Sequence, residues 1–148
     1  MPATPFLAVC FPNMKHSYEV KATGASSSQI TISSIEQLDN SPDGELVVWR
    51  VDKCASSQLG ATTLYSMVHT LFDMMASNIS VLDDFVLKLG AAGYIDVLEY
   101  DKQHFLISAR QSYLVDESFP KIVRKDVPIE ITNITYQLDL PSLKPWAK

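Results

Sequence analysis

The sequence predicts a mixed α+β domain. Strand-like segments fill the first and last thirds of the chain, and two helix-like segments stand between them. That order favours helices packed on a mixed sheet over a doubly wound fold, in which strands and helices alternate. Of the 148 residues 47% are hydrophobic, which is enough for one compact core without a disulfide or a structural metal. We therefore expect residues 1–148 to form a single domain with a central mixed sheet flanked by helices.

Three segments in the first third are predicted strands. Residues 6–11 form an almost continuous apolar run, typical of a strand that is covered on both faces. Residues 17–23 alternate between apolar and polar side chains, which predicts one polar face and one apolar face from which Val20 points into the core. Residues 46–51 are β-branched and aromatic, so we expect a strand buried on both faces in the middle of the sheet. Between the second and third strands, we expect a short helix over residues 36–38 and a turn at residues 40–44.

The middle of the chain predicts two helices. Residues 64–75 carry apolar side chains at helical spacing, and so do residues 82–89, which predicts that both helices pack on the sheet. Ser80 resembles the start of a capping box for the second helix, and Gly90 and Gly93 supply its stop. The final third then returns to strand-like residues; these lie at 105–107, 113–115 and 134–140.

Composition excludes several functional classes. The chain has 17 acidic and 12 basic residues, a net charge of -5, so its overall field does not attract polyanions. No stretch approaches the 18 or so apolar residues that a membrane helix needs. Cys10 and Cys54 have no metal-binding or redox spacing, so we expect free thiols in a reducing compartment and a cytoplasmic location.

The polar face of residues 17–23 is the best candidate for chemistry. Glu19 and Lys21 are two residues apart on a strand, so their side chains lie about 6–7 Å apart on one side. Such a pair can flank one phosphate, with the carboxylate on Mg²⁺ and the ammonium beside the phosphoryl oxygens. This interpretation requires an open, hydrated hollow. The alternative is an exposed ion pair on a solvated strand face.

Several segments together resemble the PD-(D/E)XK restriction-endonuclease-like superfamily. The resemblance is closest to a bacterial branch of PD-(D/E)XK motif proteins whose genes often sit in clusters resembling phage-defence or restriction systems. The segments that carry it are residues 18–23, 32–34, 37–38, 93–94, 119–122 and 134–140.

The resemblance implies a DNA nuclease that uses Mg²⁺ or Mn²⁺. It implies that Glu19 and Lys21 are catalytic and that Glu19, with the carbonyl of Val20, binds the metal. Glu36 and Gln37 are auxiliary candidates; the alternative for Glu36 is an acid in the first turn of a helix, where it favours the helix dipole. Phosphate contacts are expected from the basic residues near these motifs, Lys15, Lys121, Arg124 and Lys125.

One residue of the superfamily pattern is missing. An aspartate is expected on the preceding strand, at the position of Pro5, and the only acidic residues before Asp39 are Glu19 and Glu36. We therefore expect either the carboxyl-terminal portion of a longer, amino-terminally truncated nuclease domain or a site that has decayed. In both cases this chain should have little or no activity of its own.

The expected partners are DNA, other subunits of a defence or restriction-like system, and a second copy of the chain in a homodimer. The alternative function is that of a non-catalytic interaction or scaffold subunit in such a complex.

Overall fold

A computed structural model describes residues 16–39 and 44–148. The fold is mixed α+β, with a mixed sheet and flanking helices, and is consistent with a restriction-endonuclease-like fold. This confirms the predicted fold class. The predicted strand at residues 6–11 and most of the predicted turn at residues 40–44 lie outside the described residues.

The described residues form two compact units. The core unit contains residues 16–39, 44–51 and 108–148, and the helical unit contains residues 52–107. The strands are β1 (Ser17–Thr23), β2 (Gln29–Ile32), β3 (Gly44–Cys54), β4 (Thr62–Thr63), β5 (His104–Val115) and β6 (Tyr136–Asp139). The α-helices are α1 (Glu36–Asp39), α2 (Leu64–Met75) and α3 (Ile79–Ala91), and 3-10 turns cover Leu98–Asp101, Arg124–Asp126 and Leu140–Trp146.

The main sheet has the strand order β1-β3-β5-β4, and β2 and β6 form a separate antiparallel pair. The pairing of β1 with β3 is parallel and that of β4 with β5 is antiparallel, so the sheet is mixed as predicted. Two predicted strands of the final third are in fact one continuous strand, β5. The last predicted strand is shorter than expected because the chain turns into a 3-10 helix at Leu140, next to Pro141.

The hydrophobic core of the core unit lies between the inner face of the main sheet and the β2–β6 pair. Both faces of β3 are buried at Leu46, Val47 and Val48, as its β-branched sequence predicts. The core consists of Ile30, Ile32, Leu38, Leu46, Val48, Tyr113, Val115, Phe119, Leu138, Leu140 and Leu143.

Both predicted helices of the helical unit are present, but one cap differs from the prediction. α3 begins at Ile79, and the side chain of Asn78 caps it by accepting a 3.2 Å hydrogen bond from the amide of Val81. The predicted cap at Ser80 is therefore wrong. Gly93 follows the helix with a φ of 80°, a left-handed conformation that favours glycine and ends the helix as expected. Gly90 lies inside α3, so its predicted role in the stop is wrong. No helix in the described part of the chain is long and apolar enough to cross a membrane.

The burial predicted for these helices is largely wrong. Val68 is buried on α2, whereas α3 has no buried residue. Leu71 remains 41% exposed and Val86 49%. The two helices contact each other through the rings of Phe72 and Phe85, 5.6 Å apart, and this contact covers one side of each helix.

Replacing Ile32 by alanine should destabilise the core unit. The side chain of Ile32 is fully buried, so its loss removes apolar contacts and leaves a cavity. We expect the free energy of unfolding to fall by about 2–5 kcal/mol, measured by urea denaturation. Ile129→Ala is the matched control, because Ile129 is 83% exposed; its effect should stay within about 0.5 kcal/mol. Equal effects of the two substitutions would contradict this description of the core.

Candidate active site

Glu19 and Lys21 lie on the inner face of β1, against the core. The parallel register places Glu19 beside Leu46 and Lys21 beside Val48, two fully buried residues of β3. As a result Glu19 is only 4% exposed and Lys21 8%. The prediction that Val20 points into the core is wrong, because Val20 is half-buried on the opposite face. The polar face of this strand is the buried one.

Lys21 is held by two oxygen atoms. Its Nζ lies 3.1 Å from Glu19 Oε1 and donates a 2.9 Å hydrogen bond to Gln37 Oε1. The same amide oxygen accepts a 2.9 Å hydrogen bond from the backbone amide of Ser33. Gln37 therefore links the ammonium group to the turn before α1, and its own side chain is fixed in one orientation. Of the two auxiliary candidates, the structure brings Gln37 to the pair.

Glu19 has one carboxylate oxygen without a hydrogen bond. Lys21 forms an ion pair with Oε1 but directs its hydrogen bond to Gln37, and no other described group donates to this buried oxygen. Burial raises the pKa of Glu19 above its ordinary value, and the charge of Lys21 offsets part of that rise. This buried oxygen therefore has an ion-pair partner but no hydrogen bond, which leaves part of its capacity as an acceptor unused.

A small cavity adjoins the pair. Its volume is about 10 Å³, roughly the space that one water molecule needs, so the described residues do not form the predicted open hollow beside Glu19. Its lining consists of Ser17, Glu19, Gln37, Leu38, Gly44, Glu45 and Val115.

Glu45 also lines this cavity and is buried, but it pairs with Tyr18, so strand alternation places its side chain on the face of the sheet opposite Glu19; no local sequence pattern singles it out. Its Oε2 accepts a 2.9 Å hydrogen bond from Lys148 Nζ, and Arg110 lies 3.6 Å from Oε1. The hydrogen bond from Lys148 lowers the pKa of Glu45, although burial acts in the opposite direction. Only the register of β1 on β3 brings Glu45 to the cavity that Glu19 also lines, and that register cannot be inferred from local sequence.

The residues present do not form a complete metal site. Glu19 Oε1, which has no hydrogen bond, suits one metal contact. Magnesium usually needs a second carboxylate or a substrate phosphate as well as water. Glu45 is engaged by Lys148 and Arg110. Across residues 16–39 and 44–148, no group of three or more acidic, histidine or cysteine side chains could hold a metal ion.

Comparison with protein families identifies the relationship that these motifs suggest. A family model described as "Putative PD-(D/E)XK family member, (DUF4420)" matches residues 11–141. The chain belongs to this DUF4420 family. Comparison with curated proteins and with solved structures gives no match.

In this DUF4420 protein Glu36 is not part of the site. It is exposed at the start of α1 and does not line the cavity beside Glu19. Hydrogen bonds from its own backbone amide and from Ser34 lower the pKa of Glu36. This is the behaviour of an acid at a helix start, which the sequence analysis gave as an alternative to a metal ligand.

The predicted basic residues of this DUF4420 protein do not form a free cationic patch. The guanidinium of Arg124 donates 2.8 Å hydrogen bonds to the carbonyls of Ile131 and Pro128. Lys121 and Lys125 line a cavity together with three acidic residues, Asp39, Glu117 and Asp126. Lys15 lies outside the described residues.

Replacing Gln37 by leucine should destabilise the chain. The substitution removes the acceptor shared by Lys21 and the Ser33 amide and leaves a partly buried ammonium with one fewer partner. We expect a loss of about 1–3 kcal/mol in the free energy of unfolding, measured by urea denaturation. Gln29→Leu is the control, because Gln29 is an exposed glutamine nearby. If the free energy of unfolding of Gln37→Leu equals that of the wild type, the hydrogen bonds of Gln37 to Lys21 and Ser33 do not stabilise the fold.

Glu19→Gln should change how stability depends on pH. The folded chain has a raised Glu19 pKa, so above the ordinary value of 4.5 it retains a proton that the unfolded chain has released. Wild-type stability relative to Glu19→Gln should therefore fall as the pH rises from 4.5 through the raised pKa. Urea unfolding of both proteins from about pH 4 to about pH 8 measures this difference. A difference that stays flat, or that rises with pH, would contradict the assigned shift.

Proposed function

We propose that the chain is a restriction-endonuclease-like domain for Mg²⁺- or Mn²⁺-dependent hydrolysis of DNA phosphodiester bonds. Glu19 and Lys21 are the proposed catalytic residues, with Val20 contributing its carbonyl to the metal. The observation that carries this proposal is the buried pair itself. The carboxylate of Glu19 and the ammonium group of Lys21, which Gln37 holds, have the spacing of a (D/E)xK motif and lie on one strand within the region that the family model matches.

The chemistry follows from the fixed positions of these two groups. An ammonium group whose direction is already set stabilises charge that develops on a phosphoryl oxygen without having to reorganise. Gln37 provides that direction for Lys21 and is therefore a positioning residue. Glu19 Oε1, which has no hydrogen bond, would supply one ligand for a divalent cation. A bound cation would polarise the phosphate and acidify a water molecule.

We further propose that this chain alone cleaves DNA little or not at all. The carboxylate expected at position 5 is a proline in this sequence. The other acid at the cavity, Glu45, already forms ion pairs with Lys148 and Arg110. A cavity with room for about one water molecule also leaves no space for a phosphodiester without rearrangement.

The same observations favour a second candidate function. A domain that keeps the motif pair but lacks the second metal-binding carboxylate suits a non-catalytic subunit of a phage-defence or restriction-like complex. The exposed apolar residues of α2 and α3 are compatible with such a docking role.

A cleavage assay with a restored carboxylate distinguishes the two functions. We expect the wild-type chain to give at most trace nicking of supercoiled plasmid with Mg²⁺ or Mn²⁺. Pro5→Asp should raise this activity, because it returns a second carboxylate to the position that the superfamily pattern requires. Adding Glu19→Gln or Lys21→Met to Pro5→Asp should then lower cleavage by at least about 10²-fold.

Two controls accompany this assay. Pro5→Asn introduces a side chain of similar size without charge and should leave activity at the wild-type level. Strong cleavage by the wild-type chain that Glu19→Ala abolishes would contradict the proposed lack of activity. No cleavage by Pro5→Asp would favour the non-catalytic function.

A further inference from the structure

Two cavities of similar size on the core unit differ in charge. One, of about 460 Å³, is lined by three acidic residues and two lysines. The other, of about 480 Å³, has two basic residues, Arg50 and Lys144, and no acidic residue among the described residues that line it. We call this second one the Arg50 cavity. Its volume lies within the range of about 300–1,000 Å³ that is usual for small-molecule sites.

Arg50 is held at the Arg50 cavity by the turn that follows β1. Its Nη1 donates a 3.0 Å hydrogen bond to the carbonyl of Gly24 and a second hydrogen bond to the carbonyl of Ser27. Both acceptors are uncharged, so the guanidinium keeps its positive charge. A guanidinium has five N–H groups, and these two bonds use only the two on Nη1. Arg50 therefore has a fixed position and keeps the donors of Nε and Nη2 for another acceptor.

Lys144 supplies the second positive charge of the Arg50 cavity. It is an exposed residue of the 3-10 segment Leu140–Trp146. The acid that precedes this segment, Asp139, accepts a 3.1 Å hydrogen bond from the amide of Ser142 and does not line the cavity. Two cations without a lining carboxylate contrast with the net charge of -5 of the whole chain. The cavity therefore favours an anionic ligand.

The rest of the lining is uncharged and partly apolar. Tyr113, Leu140 and Pro141 contribute a ring and aliphatic surface, and the serines at 26–28 contribute hydroxyl groups. Arg50 lies close enough to Tyr113 to affect its titration: burial raises the pKa of Tyr113, and the positive charge opposes part of this rise. A ligand that matches this lining combines an anionic group with a ring or a short apolar group.

A phosphomonoester matches the two positive charges better than a carboxylate does. At pH 7 a phosphate monoester carries a charge of about -1.5 to -2, whereas a carboxylate carries a single negative charge. Arginine forms paired hydrogen bonds with phosphate oxygens, and lysine binds phosphate as a point charge. Nucleic acid matches the cavity less well, because each backbone phosphate carries one charge and the net charge of -5 repels a long polyanion.

We propose that the Arg50 cavity binds a small organic phosphate. The phosphate group lies between Arg50 and Lys144, and the organic group lies against Tyr113 and Pro141. The proposal does not depend on the catalytic assignment, because Glu19 does not line this cavity.

Titration of the 148-residue chain with phenyl phosphate, followed by the NMR shifts of backbone amides, tests this site. We expect saturable shifts at residues 24–28 and 140–147, with a Kd between about 10 µM and about 1 mM. Inorganic phosphate and phenol should each bind at least about fivefold more weakly, because each lacks one of the two groups that the lining matches.

Substitution of the two basic residues tests their roles. Lys144→Gln should weaken phenyl phosphate binding at least about fivefold, because it removes one of the two charges. Lys53→Gln is the matched control, since Lys53 is also exposed and does not line the cavity, and it should bind as the wild type does. Arg50→Lys keeps the charge but loses the planar fork, so binding should weaken at least about tenfold. If circular dichroism shows that Arg50→Lys is unfolded, Lys144→Gln decides the test.

Four outcomes would overturn the proposal. The first is the absence of saturable shifts up to about 10 mM phenyl phosphate. The second is binding that Lys144→Gln leaves unchanged, and the third is phenol binding as tightly as phenyl phosphate. The fourth is a single-stranded DNA of about 12 nucleotides that shifts the same amides and binds more tightly than phenyl phosphate, which would assign the cavity to a nucleic-acid backbone.

Discussion

The parallel register of β1 on β3 is the constraint on which the site depends. It places Glu19 and Lys21 on the inner face of the sheet, beside two fully buried residues. A charge in such a place is costly unless it is paired and hydrogen bonded. The ion pair, the hydrogen bond to Gln37 and the position of α1 together offset that cost. Glu19 and Lys21 therefore form the candidate site and are also packed against the core.

Two buried carboxylates on opposite faces of the sheet have opposite electrostatic environments. Burial dominates at Glu19 and raises its pKa, whereas the hydrogen bond from Lys148 dominates at Glu45 and lowers its pKa. Glu45 therefore has both an ion pair and a hydrogen bond, whereas Oε1 of Glu19 has an ion pair with Lys21 but no hydrogen bond. This division explains how a chain of the DUF4420 family retains the motif pair and yet does not assemble a complete metal site from the described residues.

The two compact units differ in the properties that determine function. The core unit has a continuous buried core and holds the motif pair at its edge. The helical unit buries little of its apolar surface and carries an excess of acidic residues. The paired Glu19 and Lys21 therefore lie in the first unit, whereas the second unit leaves more of its apolar side chains exposed among the described residues.

Local sequence determined the fold class, β1, the buried strand β3, both long helices and the pair at positions 19 and 21, because periodicity and residue type act over short distances. Tertiary structure alone decided which face of β1 is buried. An alternating strand is equally compatible with either orientation until its neighbour sets the register, and that neighbour lies more than 20 residues away. Long-range contacts also placed Gln37 beside Lys21 and Glu45 at the cavity. No local pattern predicted that α2 and α3 leave large apolar side chains exposed among the described residues.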